Sequence, residues 1–189
     1  KSVLGVDISE DALVVARENA KMNHLDNVTF EAHNCFDHLR ELTDAGVIIT
    51  YILLNSQNWG GVQTPDELWE IIKHPGFCEG GRISAFNMKD ERAVRYYMAW
   101  VAFLTDRYTL PGAPYGRAVG HIVGNEVNSG FEWCNMGEVT VAQYVYDYTI
   151  SLRLCWQVST SIWSGARTYI SLDHFWTGAN FSANPNRFY

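Results

Sequence analysis

The residues best suited to chemistry follow an apolar run at positions 120–123. The run ends in a group of amide and carboxylate side chains: Asn125, Glu126 and Asn128. A carboxyl group can donate or accept a proton, and neighbouring amides can bind hydroxyl groups. In parallel α/β proteins, functional groups lie at the carboxyl ends of strands, because the loops there meet at one face. We therefore predict that Glu126, Asn125 and Asn128 belong to one functional site.

Other predicted strands also end in polar or aromatic residues. Planar amides and carboxylates bind sugar hydroxyls, and aromatic faces contact the C–H side of a sugar ring. The repeated pattern indicates a carbohydrate site. The predicted substrate-binding residues are Asn55, Asn87, Asn125, Asn128, Trp133, Asp173, His174 and Trp176.

Apolar periodicity defines the elements that position these residues. Strands are predicted over 3–7, 28–32, 47–54, 82–87, 120–126 and 167–173. Helical spacing is predicted from Ser9 to about residue 23, over 36–42, from Pro65, over 94–108 and from residue 141. Alternating strands and helices are typical of an α/β protein with parallel strands.

Composition excludes several classes of protein. The 189 residues carry a net charge of -7, so the chain has no basic footprint for nucleic acid. We find no apolar run of the roughly 18 residues that a membrane-spanning helix requires, and no signal-peptide pattern. The 4 cysteines show neither a disulfide scaffold nor metal-ligand spacing, which indicates reduced thiols. Localisation is left open, because the chain begins within a predicted strand.

The composition changes near residue 45. All 7 Trp and all 10 Tyr lie after residue 50, and residues 1–45 carry 9 acidic and 4 basic residues. We therefore predict two segments, 1–44 and 45–189, from different functional environments.

The first segment resembles part of a known cofactor-binding unit. Its runs 5–9, 16–20 and 27–30 are similar to the second strand, helix and third strand of class I S-adenosylmethionine-dependent methyltransferases that modify ribosomal RNA. The resemblance implies that Asp7 binds the cofactor ribose and that Asn34 binds the adenine. The glycine-rich loop and the Asn/Asp-Pro-Pro-aromatic motif of that family are not found in this chain.

The second segment resembles a bacterial domain family related to the clan A glycoside hydrolases. The matching runs are 52–55, 115–117, 124–128, 133–137 and 169–174. In that clan a Glu after Asn at the fourth strand is the acid/base, which implies this role for Glu126 beside Asn125. The clan's nucleophile is a Glu on the seventh strand, for which this chain has no counterpart. The fold expected is a partial (β/α) TIM-barrel-like parallel sheet preceded by a Rossmann-like βαβ segment.

Three functions follow as hypotheses. The first is an incomplete glycoside hydrolase-like domain that needs no cofactor. The second is a methyltransferase segment that binds S-adenosylmethionine. The third is a non-catalytic carbohydrate-binding or inert α/β fragment. Expected partners are carbohydrate and, through unpaired sheet edges, other copies of the chain.

Overall fold

The computed structural model describes residues 3–7, 10–32, 38–58 and 63–173. These residues form a mixed α/β structure with two small parallel sheets, which confirms the predicted class. In chain order the elements are β1 (Val3–Asp7), α1 (Glu10–Met22), β2 (Val28–Ala32), α2 (Leu39–Asp44), β3 (Thr50–Leu53), α3 (Asp66–Ile72), α4 (Glu91–Tyr108), β4 (Gly120–Val123), α5 (Gly130–Trp133), α6 (Val141–Ile162) and β5 (Arg167–Tyr169).

The N-terminal elements form the predicted βαβ unit. Strands β1 and β2 pair in parallel, with Val3 opposite Val28 and Asp7 opposite Ala32. Helix α1 connects them and carries acidic residues in its first turn and Lys21 in its last. This charge distribution is favourable, because the helix dipole is positive at its first turn and negative at its last.

The second sheet is open and has three parallel strands in the order β3-β4-β5. It is not a closed barrel. Strand β4 is central, so Ile122 lies between Ile52 of β3 and Tyr169 of β5. The strands are shorter than the apolar runs that predicted them.

The predicted strand at 82–87 was wrong. This segment makes only isolated bridges, from Ser84 to Asn55 and Asn135 and from Phe86 to Lys73. The reason is that its backbone bonds do not go to a neighbouring strand: the N–H groups of residues 82 and 83 both donate to the Glu132 carbonyl in α5, at 3.1 Å. The helix predicted over 36–42 is α2, which begins at Leu39, whereas residues 36 and 37 lie outside the described part of the chain.

The core lies between the three-stranded sheet and the helices α4 and α6. Its main cluster includes Leu53, Val101, Val123 and Cys155, each at most 1 % exposed. Leu39 belongs to the same cluster, so α2 packs with this sheet. Each fully buried aliphatic side chain contributes roughly 1.5–3 kcal/mol.

The opposite face of the same sheet is open to solvent in the described structure. Ile52 is 47 % exposed and Tyr169 is 42 % exposed, on either side of Ile122. Parallel sheets are usually covered on both faces. This face and the unpaired edges are consistent with self-association, which stays a prediction.

The described cysteines are free thiols. Cys134 and Cys155 are buried, and burial raises the pKa of each thiol to about 11. Cys134 belongs to a second, smaller cluster with Val127, Met136 and Tyr144. Neither thiol therefore carries a significant thiolate fraction at neutral pH.

A buried histidine lies between the sheet and α4. His121 is fully buried and stacks on Tyr51, with 6.1 Å between ring centroids. The Thr105 hydroxyl donates to the Val101 carbonyl at 2.7 Å, so it accepts from Nε2–H of His121 at 3.0 Å. Nδ1 has no hydrogen-bond partner. Burial lowers the pKa of His121 to about 4, so the ring is neutral in the folded protein.

His121 should make the folded state sensitive to acid. Its pKa in the folded state, about 4, lies below the model value of 6.5 for the unfolded chain. As the pH falls, the unfolded chain therefore binds the proton first, and the stability of the folded state decreases between these two pKa values. Between about pH 7.5 and about pH 5, protonation of this residue in the unfolded chain should lower the free energy of unfolding by about 2 kcal/mol. His121→Gln can keep the bond to Thr105 and cannot titrate. Urea unfolding at both pH values should show that much less pH dependence in the variant, and equal dependence in the two proteins would refute the assignment.

Candidate functional site

The polar residues after the three parallel strands lie along one edge. Because β3, β4 and β5 run in the same direction, their carboxyl ends meet there. Residues 54–58, 124–129 and 170–173 follow these ends. The structure therefore brings the segments carrying Asn55, Glu126 and Asp173 to one side of the sheet.

Glu126 has an unusual backbone conformation. Its φ is +41°, in the left-handed region, and Gly124 just before it has φ +71°. For a residue other than glycine, this backbone conformation is less favourable than the right-handed one by roughly 1–2 kcal/mol. Such strain persists where surrounding contacts enforce it and is concentrated at functional positions. Glu126 as a whole residue is partly exposed.

The segment after β5 enforces this conformation. The Glu126 N–H donates to the Ser171 hydroxyl oxygen at 3.2 Å, and that hydroxyl donates to Asn125 Oδ1 at 3.3 Å. The Val127 N–H donates to the Ser171 carbonyl at 3.0 Å. Both sides of Glu126 are therefore fixed by Ser171.

A second pair of contacts lies three residues further along. The Asp173 N–H donates to Asn128 Oδ1 at 2.6 Å, and the Ser129 hydroxyl donates to Asp173 Oδ2. Asp173 is 3 % exposed and Ser129 is fully buried. The Asp173 carboxylate thus positions the loop through Ser129. The structure places Asn125, Asn128 and Asp173 in the two hydrogen-bonded loops that flank Glu126, and their contact with a sugar stays a prediction.

Asn55 and Asn87 hold the backbone. Asn55 is buried, and its Nδ2 donates to the carbonyls of Ile72 at 2.9 Å and Ala85 at 3.0 Å. Asn87 Nδ2 donates to the Ile71 carbonyl at 2.8 Å, and its Oδ1 accepts the Lys89 N–H at 3.0 Å. These contacts join the end of α3 to the 82–87 segment. We assign both amides a structural role, and sugar binding by them remains untested.

Trp133 lies at the end of α5 and is partly buried. The Arg82 guanidinium lies 5.5 Å from the centroid of its ring and pairs with Glu132 at 2.8 Å. The indole also lines a cavity of about 10 Å³ together with Asn55 and Gly124. That volume holds about one water molecule. Trp133 is therefore next to the strand ends, although Arg82 covers part of its ring.

Three further site residues were predicted from the sequence. His174, Trp176 and Asn34 lie outside the described residues. The backbone of Asp7 is described and ends β1, as the cofactor-binding hypothesis requires.

Asp147 lies in a buried ionic cluster that was not predicted from the sequence. The His74 Nδ1 accepts the Gly76 N–H at 3.1 Å, so Nε2 carries the proton and donates to Asp147 Oδ2 at 3.3 Å. The Lys89 ammonium lies 3.0 Å from the same oxygen. His74 is 2 % exposed and Asp147 is 4 % exposed.

The pKa of His74 is lowered mainly by burial and further by the charge of Lys89, whereas Asp147 acts in the opposite direction. Asp147 offers a signal in the sequence, because it lies on the apolar face of α6 that also carries Tyr144 and Tyr148. A charged residue on a buried helical face needs a partner.

The described ranges contain no group of three or more His, Cys, Asp or Glu residues arranged to hold a metal ion. Within the same ranges, no helix has the length and apolar character needed to cross a membrane.

The fold and the site define an α/β protein with a strained glutamate at the carboxyl edge of an open parallel sheet. The chain belongs to a family of unknown function, DUF5722, whose model matches residues 24–189. It is also similar to the ribosomal RNA large subunit methyltransferase I of Aeromonas hydrophila, with 42 % identity over 57 residues. That similarity covers 29 % of this chain and 14 % of the methyltransferase. No solved structure matches the chain.

The contact between Ser129 and Asp173 should contribute measurably to stability. Ser129→Ala deletes the hydroxyl and leaves a buried carboxylate with one donor fewer, which costs about 1–3 kcal/mol. Urea unfolding measures the loss. Ser161→Ala is the matched control, because its hydroxyl lies on the exposed side of α6 and bonds only the Val158 carbonyl. Equal stability of the two variants would contradict the structural role of Ser129.

Proposed function

We propose that this protein is a carbohydrate-active domain in which Glu126 donates a proton to a bound sugar. The observation that supports this most is the setting of Glu126: a partly exposed residue that follows the central parallel strand β4 and has a left-handed backbone. Strand ends of this kind are where α/β proteins bind ligands. The strain indicates a position kept for a purpose other than stability.

The residues around Glu126 supply position and polarity. Ser171 fixes the backbone on both sides of it, and Asn125 and Asn128 lie in the same hydrogen-bonded loop. The orientation of a general acid matters because proton transfer requires hydrogen-bond distance to the leaving oxygen. Asp173 is buried and bonded to Ser129, which suits it to holding the loop.

Cleavage of a glycosidic bond requires two carboxyl groups, one as acid and one as base or nucleophile. Glu126 fits the first role, and the buried position of Asp173 does not fit the second. We therefore propose saccharide binding first. Hydrolysis is a further proposal, which requires both binding and proton donation by Glu126.

Binding is tested by titration calorimetry with a panel of oligosaccharides. A saccharide that binds should bind about tenfold more weakly to Glu126→Ala, because a carboxyl group that bonds sugar hydroxyls contributes roughly 1.5–3 kcal/mol. Glu138→Ala is the control, since that side chain is exposed on the loop before α6. No heat with any member of the panel, or an equal effect of both variants, counts against the proposal.

Hydrolysis is tested with aryl glycosides. Turnover by the wild type that disappears in Glu126→Gln supports proton donation by this residue. Binding without turnover leaves the non-catalytic form of the proposal, a carbohydrate-binding domain. The absence of both supports an inert α/β fragment.

A second candidate function is binding of S-adenosylmethionine by the N-terminal βαβ unit. It is favoured by the 42 % identity to a ribosomal RNA methyltransferase over 57 residues. The position of Asp7 also supports it, because this residue ends β1 and helix α1 follows. An acid in that position can accept the ribose hydroxyls. Asn34 is the proposed adenine-binding residue.

This candidate is tested by titrating S-adenosylmethionine into the full chain. Asp7→Ala should weaken binding about tenfold or more, because the two ribose hydroxyls lose a charged acceptor. Asp11→Ala removes an exposed acid in the first turn of α1 and serves as the control. If both variants bind like the wild type, Asp7 only stabilises the helix start. If the wild type does not bind, the candidate is wrong.

A further inference from the structure

A large cavity lies beside the carboxyl edge of the three-stranded sheet, and Glu126 is not among its lining residues. It is bounded by α3, by the first half of α4 and by the segments 54–56 and 86–88. Its volume is about 660 Å³. Sites for small organic molecules have volumes of about 300–1,000 Å³.

Aromatic side chains dominate the wall of this cavity. Phe86, Tyr96, Tyr97 and Trp100 all line it. The Phe86 ring lies 4.7 Å from Tyr97 and 6.1 Å from Trp100, between centroids. Tyr97 is 4 % exposed and donates its hydroxyl to the Ser151 carbonyl at 3.0 Å. The inner wall is therefore rigid and apolar.

The polar part of the wall offers little to a charged or sugar-like ligand. Within the described part of the chain, no charged side chain lines the cavity. The amide N–H groups of Asn55 donate to two backbone carbonyls, and both polar atoms of the Asn87 amide have backbone partners. A charged group, or a set of hydroxyls, would lose its water here without full replacement of the hydrogen bonds.

The mouth of the cavity has a different character. Tyr96 and Trp100 lie one helical turn apart on α4 and are 52 % and 37 % exposed. Two amphipathic rings that are half in water and half against an apolar wall can cover a flat molecule on entry.

We propose that this cavity binds an uncharged molecule with a flat ring system, which packs against the aromatic wall that Phe86, Tyr96 and Trp100 form. The proposal is independent of carbohydrate binding at Glu126. The ligand class follows from the volume, the aromatic wall and the lack of charge on it.

The test uses N-phenyl-1-naphthylamine, an uncharged two-ring probe whose fluorescence rises when it leaves water. Titration into the full chain should give a saturable signal with one probe per chain. Trp100→Ala and Tyr96→Ala should each weaken binding about fivefold or more, because each removes one of the stacking faces. Both residues are partly exposed, so both variants should fold, which circular dichroism checks.

Two control variants separate the cavity from other apolar surfaces. Trp156→Ala removes an exposed tryptophan of α6 that does not line the cavity. Ile52→Ser makes the open sheet face more polar. Both should bind the probe like the wild type. Loss of binding in Ile52→Ser, or an equal loss in Trp156→Ala and Trp100→Ala, would overturn the proposal.

A charged probe tests the ligand class. 8-Anilino-1-naphthalenesulfonate has a similar ring system with an added sulfonate, and it should bind about tenfold more weakly than the neutral probe. Equal affinity for the two probes, or no saturable signal with the neutral one, would show that the cavity is not a site for uncharged ring compounds.

Discussion

The candidate site depends on the hydrogen bonds that join the loop after β4 to the segment after β5. Ser171 binds the backbone on both sides of Glu126, and Asp173 holds Ser129 in the core. These contacts continue the association of two parallel strands beyond the point where their regular pairing ends. Together with the bond from the Ser129 N–H to the Glu126 carbonyl at 2.7 Å, they hold Glu126 in a left-handed conformation that is unfavourable for a residue with a β-carbon.

The parallel direction of the strands and their alternation with helices could be predicted from the sequence for a physical reason. Short apolar runs separated by helical repeats can bury their side chains only as parallel strands with crossover helices. The position of Glu126 followed from the same logic, since the apolar run ends at Val123. The left-handed backbone was not predictable, because it results from contacts with Ser171, 45 residues away.

Local patterns do not specify the tertiary partners of a side chain or of a backbone segment. The pattern predicts that Asn55 binds a ligand, whereas the structure shows its amide donating to two backbone carbonyls, and sugar binding by it stays a prediction. The segment at 82–87 is a predicted strand, but its backbone bonds go to helix ends and loops and not to a neighbouring strand. His74 and Asp147 are 73 residues apart in sequence, so no short motif could reveal their contact.

The burial of two thiols has a practical consequence. Cys155 lies in the main cluster between sheet and helices, and Cys134 lies in the smaller cluster next to Val127. A reagent that requires a thiolate can modify either sulfur only in molecules whose cluster has transiently opened. The rate of modification at Cys155 therefore measures transient opening of the main cluster between the sheet and its helices. The rate at Cys134 measures transient opening of the smaller cluster, which contains Val127 of the loop that carries Glu126. The two modification rates therefore report local opening separately in two parts of the same protein.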